Sequence, residues 1–142
     1  MKNELSVQSG AGRGDALQGL AELREALLRL HKALIESERV GYEQTFGRIA
    51  SSYQFLQLLT NDPWFAWVRP VSQLIATMDE MSDGKAALTA ADADGLAARA
   101  RLLLVAVAGD DGFSGHYDEA LQRDPDVVFA HADVARCLRT AF

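Results

Sequence analysis

The sequence predicts an all-α fold, an antiparallel four-helix bundle with one extra short helical segment. Apolar residues recur at steps of three and four along most of the chain, the spacing that puts them on one face of a helix. No stretch alternates apolar and polar residues as a half-buried strand does,. Cap-plus-proline or glycine-rich breaks separate the periodic stretches by short loops, and short loops make successive helices antiparallel neighbours.

Residues 1–14 are polar and glycine-rich, which predicts a disordered tail with too little apolar surface to offset the entropy of ordering it. Residues 15–142 form the predicted single helical-bundle domain. Asp15 is a candidate N-cap, and Leu20, Leu23, Leu27, Leu30 and Leu34 follow on one stripe. Glu25 and Arg29 stand four apart on the polar side, a favourable spacing for an ion pair,. Beyond Leu34 the apolar stripe shifts by one residue, through Ile35, Tyr42, Phe46, Ile49, Tyr53 and Leu56. Gly41 and Gly47 are poor helix residues, so a bend or break is expected between Val40 and Arg48, with a second helical stretch ending near Thr60.

Asn61-Asp62-Pro63 marks the next boundary, with Asp62 as cap and Pro63 in the first helical position,. Trp64, Trp67, Val71, Leu74, Ile75 and Met78 then share a face. Pro70 lies inside that pattern and predicts a kink. Ser82-Asp83-Gly84 ends the helix. Thr89 and Asp92 have capping-box spacing, flanked by Leu88 and Ala93,. Ala93, Leu96, Ala100, Leu103 and Val107 form the next face, with a turn at residues 109–112. A short helix carries Phe113, Tyr117, Ala120 and Leu121. Asp124-Pro125 opens the last helix, which is expected to bury some of Val127, Val128, His131, Val134, Ala135 and Leu138.

The chain has 142 residues, 49% of them apolar and 24% charged, with a net charge of −6. That is ordinary globular composition and enough chain for a real core. The acidic excess lies in the second half, and no basic run occurs. Phosphate recognition needs clustered Lys and Arg, so neither nucleic acid nor an anionic membrane surface is an expected partner. The single cysteine, Cys137, excludes an internal disulfide and a cysteine-cluster zinc site,. It is expected to be a packed small residue. The N-terminus lacks the charged-then-apolar pattern of a signal peptide, and the longest apolar run, Leu102 to Ala108, is too short to cross a bilayer,. The expected location is cytoplasmic.

No catalytic constellation is legible, and no catalytic, cofactor-binding or metal-ligating residue is assigned. A di-metal bundle needs Glu-x-x-His on two helices. The nearest fragments are His116-x-x-Glu119, in reversed order, and His31 with Glu38 a heptad away. Gly12-Arg13-Gly14-Asp15 lacks the ending of a phosphate loop, and no serine sits in a strand–turn–helix elbow.

The most unusual segment is Trp64-Phe65-Ala66-Trp67-Val68-Arg69. It places two indoles, a phenyl ring and a guanidinium within two turns, residue types that stack on cations, bind carboxylates or anchor partners. Helical spacing points Phe65 away from the Trp64 and Trp67 side, leaving one ring for the surface or an interface. Tyr117-Asp118-Glu119-Ala120-Leu121-Gln122-Arg123-Asp124-Pro125-Asp126, followed by Ala130-His131, resembles the end of a tetratricopeptide repeat and the start of the next. There Tyr117, Ala120 and Pro125 stand where that family packs a helix pair. The rest of the chain shows no such period, so the resemblance implies a local helix–turn–helix and not the family's peptide-binding groove.

These features suggest a non-enzymatic helical bundle that acts through protein–protein association, as a homodimer or with a protein partner. Leu27, Trp64, Trp67 and Arg69 are the interaction candidates. The alternative is a small-ligand- or metal-binding bundle, or an enzyme, built on groups such as His31, Glu38, Tyr42 and Arg69. No cofactor is implied.

Overall fold

The structure is a computed structural model that describes residues 2–84 and 86–142, with side chains from residue 14 onward. All regular structure among the described residues is helical. The elements are α1 (Lys2–Phe46), α2 (Ser52–Asn61), a 3-10 helix (Pro63–Val68), α3 (Arg69–Asp83), α4 (Ala90–Leu103), α5 (Phe113–Arg123) and α6 (Pro125–Ala141). No helix is long and apolar enough to cross a membrane among the described residues. The tail expected over residues 1–14 falls on the part of α1 whose side chains, up to residue 13, lie outside the described residues.

The leucine stripe of α1 is the centre of the core. Leu23, Leu27, Leu30 and Leu34 have no exposed surface, and Leu20 almost none. They join Val71, Leu74, Ile75 and Met78 of α3, Ala93, Leu96, Ala97 and Ala100 of α4, and Val127, Val134 and Leu138 of α6 in one apolar cluster. Helix α1 therefore packs against α3, α4 and α6, most extensively against α6. Two pairs of cross-links set the directions. Arg24 binds Asp79 late in α3, whereas Trp64, just before α3, binds Glu38. Gly19 lies against Ala141 at the end of α6, whereas Arg123, just before α6, binds Ser37. Both α3 and α6 thus run antiparallel to α1. Arg24 takes Asp79 and the adjacent Glu25 as partners, and the guanidinium holds the Asp79 carboxyl below the usual range. The expected pairing of Glu25 with Arg29 is not the one formed.

The break after the leucine stripe falls at Gly47, within the expected window. Helix α1 ends at Phe46, and Gly47 adopts φ of +99°, the left-handed region that favours glycine,. Its amide still bonds to the Glu43 carbonyl, and the Glu43 carboxylate accepts from the Ile49 amide. Ser51 then caps α2 by accepting from the Gln54 amide,. At Gly41 the helix continues. There the missing side chain makes room for the Trp64 ring, whose Cζ2 would lie 3.2 Å from a Cβ.

Asp15 is not a cap, because α1 begins at Lys2 and runs through it, but the later cap signals correspond to real caps. Asp62 accepts from the Trp64 amide, Asp124 accepts from the Asp126 amide, and Thr89 and Asp92 form both halves of a capping box. The hydrogen bonds from Thr89 also lower the Asp92 pKa. Two further expectations are corrected. Pro70 does not kink a helix: residues 63–68 form a separate 3-10 helix, and Pro70 sits in the first turn of α3, where its missing amide donor costs nothing,. Val107 is not on the α4 face, because α4 stops at Leu103 and Val107 is an exposed loop residue. Of the residues named for the last helix, Val127, Val134 and Leu138 are buried, as expected of some of them, and Val128 is exposed.

The pair α5–α6 has the local geometry that the repeat resemblance implies. Tyr117 and Ala120 are fully buried, and Pro125 occupies the first turn of α6. Gly115 is fitted to this corner, since a Cβ there would overlap the Asp110 carbonyl.

Candidate functional site

The 3-10 helix decides where the aromatic segment points. With three residues per turn, positions three apart eclipse one another. Phe65 and Val68 therefore share one side and are buried, while Trp64 and Trp67 share the other and are half-buried. This refines the sequence reading of the tryptophans as the α3 core stripe: Phe65 is the fully buried ring, Trp67 packs against the core cluster while remaining half-buried, and both indoles line a cleft.

That cleft, about 320 Å³ in volume, lies between the C-terminal part of α1, the 3-10 helix and α5. Its walls are Trp64, Trp67, His116 and Pro63, with Glu38, Arg123 and Glu119 at its polar side. The imidazole of His116 stacks on Trp67, with centroids 5.3 Å apart and planes 18° apart. Phe113 packs on the same indole and stacks in turn on Tyr117. Trp64 is held edge-on by Tyr42 and Phe46, and its Nε1 donates to the Glu38 carbonyl at 3.1 Å.

The polar side is a closed network. Arg123 Nη2 donates to Glu38 Oε1 at 2.9 Å, and its Nε donates to Ser37 Oγ at 3.1 Å. Only 11% of the Glu38 side chain is exposed. A carboxylate this deep is stable when its partner supplies charge and hydrogen bonds together. Glu119 lies one turn before Arg123 on α5, is exposed, and leaves that guanidinium to Glu38.

Behind the cleft, the Tyr117 hydroxyl and His131 Nδ1 share a hydrogen bond. Burial pushes the Tyr117 pKa well above that of an ordinary phenol and lowers that of His131. The pair ties α5 to α6 and stiffens the wall that carries His116.

The remaining sequence candidates are dispersed. Leu27 lies in the core with no exposed surface. Arg69 turns away from the indoles, and its Nη2 donates to the Thr60 carbonyl at 2.8 Å, fastening the end of α2 to the start of α3,. His31 and Arg69 line a separate hollow under α2, where burial lowers the His31 pKa. Tyr42 belongs to the aromatic cluster around Trp64 and Phe65. Cys137 is half-buried on α6, and burial raises its pKa, in keeping with a packed thiol,. No group of three His, Cys, Asp or Glu side chains converges as a metal site among the described residues.

Sequence reasoning placed Trp64 and Trp67 among the candidates but missed His116, Glu119 and Arg123 as their neighbours. The Arg123–Glu38 pair joins positions 85 apart, and no local periodicity signals such a contact. No protein-family model, curated protein or solved structure matches the chain.

Proposed function

We propose that this chain is a non-enzymatic association module whose partner is a second copy of itself, docked through α2 and the end of α1. The observation that supports this is α2: half of its ten residues are apolar, yet none is buried. Phe55 packs on Phe65 under the Arg39 guanidinium. Tyr53 and Leu56 point outward with 72% and 58% of their surface exposed, and Phe46 at the end of α1 is 65% exposed. An isolated helix of this length is marginal in water and needs packing for its stability. Val40 near the end of α1 is 56% exposed as well, and exposed apolar side chains that gather in a patch mark interaction sites.

A second copy is the occupant that is always present when α2 must be covered, and two-fold dimers are the commonest closed assembly. In this reading α1, α3, α4 and α6 form the four-helix bundle, α2 is the docking element, and the setting is cytoplasmic. The test is Tyr53→Glu with Leu56→Glu. Both residues are exposed in the single chain, so the double variant keeps its helical circular dichroism and sediments near the monomer mass of 15.5 kDa. A variant that keeps the wild-type dimer mass contradicts the proposed surface.

A further inference from the structure

We propose that the cleft beside Trp64 and Trp67 binds a small organic cation, an ammonium centre carrying alkyl groups rather than N–H donors. The cleft adjoins the association surface, since Phe46 packs edge-on against Trp64, but the proposal does not rest on association.

The chemistry of the lining selects this class. Two indoles on one side of the 3-10 helix line a cleft of about 320 Å³, and His116, stacked on Trp67, adds a third ring to the lining. Aromatic faces attract cations through the ring quadrupole, and tryptophan does so most strongly. The charged groups are Glu38, Glu119 and Arg123. Arg123 and Glu38 neutralise each other, which leaves the Glu119 carboxylate as the uncompensated charge. An anion would meet that carboxylate and a guanidinium already committed to Glu38 and Ser37. A cation meets neither obstacle.

The rest of the lining narrows the class further. The Glu38 carbonyl accepts from Trp64 Nε1, and Glu38 Oε1 and Ser37 Oγ accept from Arg123, so Glu119 is the group left to meet the charge of a cation. Alkyl groups on the nitrogen are favoured because Pro63, Trp64 and Trp67 offer apolar surface on which they pack. The cleft lies within the size range of small-molecule sites, and its framework is pre-formed by the ring stack and the ion pair.

The chain has two tryptophans, and both line this cleft, so its intrinsic fluorescence reports on this site. The probe is choline, titrated into the full-length protein at constant ionic strength, with the neutral isostere 3,3-dimethylbutan-1-ol and with acetate as controls. Choline is expected to give a saturable change in emission, confirmed by calorimetry, and both controls are expected to give none at equal concentration. Glu119→Gln is expected to weaken choline binding by about fivefold, the scale of one exposed charge interaction. Glu119 is exposed, so its far-ultraviolet circular dichroism should match wild type. A short peptide carrying trimethyllysine separates two sources of the cation: tighter binding than choline assigns it to a protein side chain, and weaker binding assigns it to a free metabolite. Equal binding of choline and its neutral isostere would overturn the proposal. So would no saturable response to 50-fold more choline than the usual millimolar range of weak sites, about 50 mM, or a response to acetate matching that to choline.

Discussion

Replacing Leu27 with alanine separates a core role from an interface role. Leu27 has no exposed surface and sits mid-stripe on α1, in the apolar cluster shared with α3, α4 and α6. Truncation removes the transfer energy of the deleted carbons and leaves a cavity that helices on several sides cannot all collapse into. The expected loss is about 3 to 4 kcal/mol, within the range of buried leucine-to-alanine changes. For a domain of this size that corresponds to a fall in Tm of roughly 10 °C. The assay is urea unfolding followed by circular dichroism, and the midpoint should fall with an unchanged slope. Leu27→Glu should not fold, because an unpaired buried carboxylate costs several kcal/mol. A loss below about 1 kcal/mol for Leu27→Ala, or a folded monomer from Leu27→Glu, would refute the core assignment.

Arg123→Ala leaves the Glu38 carboxylate without its cation and is expected to cost about 2 kcal/mol, with part recovered by adding Glu38→Gln; urea unfolding of the single and double variants checks this. His31 and His131 both have pKa values lowered by burial, so the unfolded chain binds more protons as the pH drops below about 6.5 and stability falls with it. Urea midpoints should therefore be lower at about pH 5.5 than at about pH 7.5, with a smaller difference in His31→Gln. Gly47→Ala, at a left-handed backbone position with open space around it, should cost about 1 kcal/mol through backbone strain alone, read from the same unfolding curves. Removal of residues 1–14 should lower Tm by less than about 10 °C in thermal melts.

Most helices and several of their boundaries were legible because their signals are local; the start of α1 at Lys2 and the end of α4 at Leu103 were not. The 3-4 spacing of the leucines, the Asp-Pro caps at 62–63 and 124–125, and the Thr89–Asp92 box act over one or two turns, and the structure forms all of them. The aromatic segment was legible as unusual but not in its orientation. The α-helical period puts Trp64 and Trp67 with Val71 on the core face, whereas the 3-10 period groups Trp64 with Trp67 and Phe65 with Val68. Pro70 carries the hint, since a proline there favours a new helix start over a continuous helix. The offset stripe after Leu34 mixes two environments. Ile49 is buried, whereas Phe46, Tyr53 and Leu56 are exposed, and spacing alone does not say which surfaces find a neighbour. The cleft was the least legible feature, because α5 reaches Glu38 only through the return of the chain across the bundle.

Self-association is tested most directly by sedimentation equilibrium of the full-length chain across micromolar concentrations. A mass approaching twice 15.5 kDa, lost on substitution of Tyr53 and Leu56 by glutamate with helicity retained, is the predicted result. A mass that stays at 15.5 kDa throughout that range would contradict it and leave the exposed face of α2 without a second copy to cover it.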